Sequence, residues 1–132
     1  MNARPKHLRP KHPGPKLVVV IDDDELVLEA TAGLLRAWGC EAVTAASYPE
    51  ALIRLLEGHR RPDLIISDYR LSDGHTGIDV IEALRNAFEI PALLISGDAG
   101  SPTCTDRASY RLLHKPLDAS SFRAALIGAA VL

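Results

Sequence analysis

Leu17-Val18-Val19-Val20-Ile21-Asp22-Asp23 decides how the rest of the chain is read. Five apolar residues in a row, mostly β-branched, lack the alternation of a strand with one wet face. They predict a strand covered on both sides, as in a parallel sheet between helix layers. The run then breaks into carboxylates, where such a strand would end.

Working outward, strand-like runs alternate with helix-period segments. After the first strand, Asp24 is a plausible N-cap for a helix with Val27, Ala30, Leu34 and Trp38 on its inner stripe, stopped by Gly39. A second strand at about residues 42–45 leads into Ser47-Tyr48-Pro49-Glu50, a capping box with Pro in the first turn. Its helix presents Ala51, Leu52, Leu55 and Leu56 and ends near Gly58. Leu64-Ile65-Ile66-Ser67 is the third strand, with Asp68 at its carboxyl end. Ser72-Asp73-Gly74 reads as a turn, and Thr76 caps a helix whose inner face is Ile78, Ile81, Leu84 and Phe88. Ala92-Leu93-Leu94-Ile95 is the fourth strand, ending in Ser96-Gly97, and residues 111–114 form a short fifth before Lys115-Pro116. Asp118 caps a last helix carrying Phe122, Ala125, Leu126 and Ala129. Strands and helices alternating in this way predict an α/β fold, a doubly wound five-stranded parallel sheet with helices on both faces.

Between Ser96 and Lys115 the chain offers Gly97, Gly100, Pro102 and small polar residues without an amphipathic stripe. The fourth helix in chain order is therefore expected to be short, irregular or absent.

At 132 residues the chain is one domain in size, able to bury a core without disulfides. Residues 1–15, rich in Pro, Lys, Arg and His, are expected to be a disordered basic tail or linker, and residues 16–132 the folded domain. Five basic residues and no acid fall in residues 1–16; the remainder holds all 17 acids against 10 basic residues, a net of −7. An acidic body argues against direct nucleic-acid binding. No apolar run is long enough to span a bilayer, and no secretory leader opens the sequence, so a cytoplasmic domain is expected. Cys40 and Cys104 have no CxxC partner and read as free thiols rather than zinc ligands.

In a sheet of this kind, function collects at the carboxyl ends of the strands. There the sequence delivers Asp22 and Asp23, Asp68, Ser96 and Lys115 from four separate elements. Three carboxylates together are unfavourable: two like charges about 4 Å apart repel by about 4 kcal/mol at an effective dielectric of about 20. A divalent cation removes that penalty, and an all-oxygen donor set favours Mg²⁺. With Lys115 the site is then neutral, an arrangement suited to phosphoryl transfer, in which a carboxylate can be the nucleophile. The blander reading, that the acids at 22–24 merely cap a helix, accounts for one of them, most naturally Asp24. His75 and His114 have no second ligand at metal spacing.

Val19-Val20-Ile21-Asp22-Asp23, Ile65-Ile66-Ser67-Asp68-Tyr69-Arg70, Leu94-Ile95-Ser96-Gly97 and His114-Lys115-Pro116 resemble, in order and spacing, the motifs of the response-regulator receiver family. The resemblance covers residues 16 to about 131 and implies a flavodoxin-like sheet of strand order 2-1-3-4-5. It implies that Asp68 is the phosphoacceptor, and that Asp22, Asp23, Asp68 and the backbone carbonyl of Arg70 hold Mg²⁺. It further implies that Ser96 and Lys115 contact phosphoryl oxygens, and that the Lys115–Pro116 bond is a cis candidate. The implied donor is a histidine kinase or histidine phosphotransfer domain, and a homodimer is compatible with the family. As an isolated domain it would have no activity beyond self-phosphorylation and slow self-dephosphorylation. The stretch from Asp68 to Gly77 looks most like receivers attached to hybrid sensor histidine kinases. The usual switch aromatic, three residues before the lysine, is replaced by Leu112, with Tyr110 two residues earlier. Phosphorylation is therefore expected to order residues 97–109 rather than move a ring. Two other readings stay open. Asp22-Asp23-Asp24 contains the Asp-x-Asp of aspartyl-phosphate phosphohydrolases, although Glu25-Leu26 stands where that family has Gly-Thr. A receiver-like module that is never phosphorylated is the other.

Overall fold

Buried apolar runs form the middle of the sheet. The computed structural model describes residues 15–71, 74, 76–97, 110–115 and 118–132. In chain order these are β1 (Leu17–Ile21), α1 (Glu25–Ala37), β2 (Glu41–Ala45), α2 (Tyr48–Glu57), β3 (Leu64–Asp68), α3 (Gly77–Ala87), β4 (Ala92–Ser96), β5 (Tyr110–His114) and α4 (Ala119–Gly128). All strand pairs are parallel, in the order β2-β1-β3-β4-β5.

Alternation along each central strand divides the core in two. Leu17, Val19, Ile21, Ile65, Ala92 and Leu94 face α2 and α3, where they meet Ala51, Leu55, Val80, Ile81 and Leu84. Val18, Val20, Leu64, Ile66 and Leu93 face the other way, against Leu28 and Leu35 of α1 and Phe122 and Leu126 of α4. Trp38 closes that second layer on Phe122, with ring centroids 5.7 Å apart. Each large aliphatic side chain so buried contributes about 2 kcal/mol of apolar transfer free energy. The start of β3 is tied to β1 twice: Asp63 N–H donates to the Leu17 carbonyl at 2.7 Å, and the Leu17 N–H donates to Asp63 Oδ2 at 2.8 Å.

The helix ends follow their capping signals. Asp24 Oδ1 accepts from Leu26 and Val27 N–H at 3.0 and 3.4 Å. Gly39 stands past the end of α1 with φ +89, where a side chain would be strained. Asp24→Ala is expected to cost about 1 kcal/mol of stability through loss of this cap, read as a lower urea midpoint with an unchanged m-value.

Several sequence expectations need correction. The buried stripe of α1 is Leu28, Ala32 and Leu35; of the expected stripe, Ala30 is exposed, and Val27, Leu34 and Trp38 are only partly buried. The two stripes lie one residue, or about 100°, apart on the helix, and period alone cannot choose between neighbouring faces. On α2, Leu56 is 59% exposed rather than core. Ser47 Oγ accepts from Glu50 N–H at 3.3 Å as a capping box requires, but Glu50 Oε1 accepts from Ala46 N–H instead of Ser47 N–H. At α3 the box is reciprocal between Thr76 and Asp79. The tail at 1–14, the segment 98–109 with the expected irregular helix, Pro116 with its candidate cis bond, and Asp73, His75 and Cys104 lie outside the described residues.

Candidate functional site

Strand order reverses between β1 and β3, so their carboxyl ends open a crevice that no crossover covers. β1 delivers Asp22 and Asp23 to it, and β3 delivers Asp68. One carboxylate oxygen from each lies within 4.8 Å of the others. Beyond β5, Lys115 reaches back so that its Nζ sits 2.8 Å from Asp68 Oδ1. Its own N–H donates to the Ser96 carbonyl at 2.8 Å, which extends the β4–β5 ladder by one residue and aims the side chain along the rim.

Burial grades the acids. Asp22 is 5% exposed, Asp68 is partly covered, and Asp23 is open to solvent. Asp22 Oδ1 accepts the Asp24 N–H at 2.9 Å. Its carboxyl is nevertheless pushed up to about 6. Desolvation is the main cause; the Asp24 hydrogen bond opposes it, the charge of Asp68 adds to it, Lys115 opposes it, and Asp23 adds to it. For Lys115, desolvation pulls the ammonium down, but the hydrogen bond it donates to Asp68 and the charges of Asp68, Asp22 and Asp23 outweigh it, so it is held above its ordinary value.

A cavity of about 360 Å³ connects the remaining expected residues, lined by Asp68, Tyr69, Arg70, Ser96, Gly97 and Lys115. Ser96 is buried, and Arg70 stands two residues past Asp68 in an isolated bridge with Thr76. All six residues singled out from the sequence are thus gathered at one rim. A larger cavity of about 650 Å³ begins at Asp22, Asp68 and Lys115 and runs between α1 and α4 past Val27, Ala30, Leu34 and Phe122. Two glycines were missed. A Cβ at Gly97 would stand 3.2 Å from Lys115 Cβ and Cδ, so the lysine stem lies across it. Gly77 sits under the Asp68 backbone. The only sequence signal for either was a glycine beside a strand end or a helix cap.

The donor set fits a hard divalent cation: three aspartates, one of them buried at a cost, cluster together, and of these Asp68 meets Lys115 at hydrogen-bond distance among the described residues. Residues 18–127 match the family model of the response regulator receiver domain, and the chain belongs to that family. It is 27% identical over 79 residues to the phyllosphere-induced regulator PhyR of Methylorubrum extorquens, covering 60% of this chain and 30% of that protein. The heme response regulator HssR of Staphylococcus aureus is 32% identical over 78 residues, covering 59% of this chain and 34% of that protein. The chain spans about a third or less of the length of the curated relatives it matches. Among solved structures, the PhyR receiver domain of Erythrobacter litoralis superposes with a TM-score of 0.72 at 26% identity, covering 89% of this chain and 91% of that one. Among the described residues, no helix is long and apolar enough to cross a membrane.

Proposed function

We propose that this chain is a phosphoacceptor module of two-component signalling, working in the cytoplasm and taking a phosphoryl group from a partner's phosphohistidine onto Asp68. The observation that carries this is the 2.8 Å contact of Lys115 Nζ with Asp68 Oδ1 inside a cluster of three carboxylates. A solvated rim gains little from gathering three acids; a phosphoryl-transfer site does.

In the transfer, an Asp68 carboxylate oxygen forms a bond to phosphorus while the phosphorus–nitrogen bond breaks. The electron pair returns to the donor imidazole, which takes up a proton, and Asp68 becomes an acyl phosphate. Lys115 gives up its contact with the acceptor oxygen and pairs with a phosphoryl oxygen, and the Ser96 hydroxyl donates to another. Asp22, Asp23, Asp68 and the Arg70 carbonyl would hold Mg²⁺, which supplies positive charge to the phosphoryl oxygens. The motif resemblance around Asp68 supports a parent protein of the hybrid histidine kinase type. The named regulators among the relatives favour a response regulator, and either parent uses the same chemistry.

Incubation with Mg²⁺ and acetyl phosphate, followed by intact mass and site mapping, tests the reading. A single phosphoryl group on Asp68, abolished by excess chelator, is expected. Label on Asp22 would indicate the phosphohydrolase reading, and no label from acetyl phosphate or a phosphohistidine donor would indicate an unphosphorylated module. Lys115→Ala is expected to keep Mg²⁺ affinity but slow labelling by about 10-fold or more, the value of one charge-assisted hydrogen bond. A Lys115→Ala protein that labels at the wild-type rate would remove the lysine from the mechanism.

A further inference from the structure

We infer that Gly77 is a positioning residue for the phosphoacceptor, required because only a residue without Cβ lets the start of α3 press against the Asp68 backbone. The inference rests on the reading of Asp68 as acceptor and concerns what aims it.

Gly77 is the first residue of α3, directly after the Thr76 cap. Nothing in helix chemistry asks for glycine there, since glycine carries a larger backbone entropy cost than any other residue. Nor is the reason conformational: among the described residues the glycines with positive φ are Gly39 and Gly74. Space is the reason. An added Cβ would overlap the Asp68 carbonyl oxygen and stand 3.0 Å from the carbonyl carbon and 2.6 Å from Leu94 Cδ1. The leucine methyl is the end of a side chain and can rotate away. The Asp68 carbonyl cannot. It accepts from Ser67 Oγ at 3.0 Å, and the Tyr69 backbone that follows is fastened at both ends. There, Tyr69 N–H donates to the Ile95 carbonyl at 2.8 Å, and the Tyr69 carbonyl accepts from Gly77 N–H at 2.7 Å. The Thr76–Asp79 capping box holds the helix end against this peptide.

The strand end that carries Asp68 is therefore clamped between β4 and the first turn of α3. A side chain at 77 moves either the helix end or the Asp68 peptide. Because that peptide carries the nucleophile, its displacement spoils the contact with Lys115 and the approach to Asp22 and Asp23 together. A misplacement of about 1 Å at a reacting group can cost about 100-fold in rate.

The test compares wild type, Gly77→Ala, Leu94→Val and the double variant, each measured where it is folded and corrected for folded fraction. The readouts are the labelling rate at saturating acetyl phosphate and Mg²⁺, and Mg²⁺ affinity of the unphosphorylated protein by calorimetry. For Gly77→Ala we expect labelling per folded molecule to fall by about 10- to 100-fold and Mg²⁺ affinity by about 10-fold. Leu94→Val removes the side-chain overlap, so the double variant regains urea resistance toward that of Leu94→Val but stays slow. A wild-type rate and Mg²⁺ affinity in folded Gly77→Ala would overturn the inference, as would full recovery of labelling in the double variant, which would place the fault in Leu94 packing. If the wild type labels elsewhere than Asp68, the acceptor reading fails, and Mg²⁺ affinity alone then decides for or against Gly77. A wild type that neither labels at Asp68 nor binds Mg²⁺ overturns both.

Discussion

Asp68→Asn is expected to take up no phosphoryl group from acetyl phosphate or from a phosphohistidine donor, while folding as the wild type does. The amide has the shape of the carboxylate and keeps an oxygen toward Lys115 Nζ, but its nitrogen lone pair is delocalised into the carbonyl and it carries no negative charge to attack phosphorus. The neighbouring acids cannot take over. Asp22 is buried, with Oδ1 engaged by the Asp24 N–H, and Asp23 faces solvent. Of the three, Asp68 alone is ion-paired with Lys115 among the described residues. Loss should therefore be complete by intact mass, with far-ultraviolet circular dichroism unchanged. Stoichiometric label persisting on Asp68→Asn would sink the assignment of the nucleophile.

Much of this arrangement is legible in the sequence. The runs at 17–21, 64–67 and 92–95 read as buried strands, because short apolar runs without alternation have no wet face. Once those strands are parallel, their carboxyl ends share one edge, and Asp22, Asp23, Asp68 and Ser96 follow onto one rim. What escaped depends on distances between elements rather than on patterns within them. The rotation of α1 was misread by one residue because Val27–Ala30–Leu34 and Leu28–Ala32–Leu35 are both helical stripes, and only the sheet beneath selects Leu28 and Leu35. The unselected stripe lines the larger cavity instead. Gly77 escaped for a similar reason: a glycine at a helix start has many explanations, and only the nearness of the Asp68 carbonyl singles one out.

The burial of Asp22 beside two further carboxylates should be measurable as a stability cost. In excess chelator, the wild-type protein is expected to lose about 2 to 3 kcal/mol of unfolding free energy as pH rises from about 4 to about 7. The sign follows from Asp22. Its carboxyl is raised from 3.8 to about 6 in the folded protein, chiefly because burial disfavours the ionised form. Between those values the folded state holds a proton that the unfolded chain has released. Stability is therefore fully present below pH 3.8 and is lost as pH climbs through about 6. Asp118 acts elsewhere, since its capping bonds from Ser121 lower it and place its effect below 3.8. Lys115, held above its ordinary value of 10.5, acts only in strong alkali. Asp22→Asn keeps an oxygen for the Asp24 N–H but never ionises, so its urea midpoint should stay flat through this window. It should match the wild type near pH 4 and exceed it at pH 7. Saturating Mg²⁺ should restore the wild type at pH 7 and leave Asp22→Asn nearly unmoved, because a cation bound at three carboxylates favours the ionised form. Urea denaturation of both proteins at pH 4, 5, 6 and 7, with and without Mg²⁺, measures every term. A wild-type profile as flat as that of Asp22→Asn in chelator would mean that Asp22 is ionised at no cost, and that the cluster has no need of a cation.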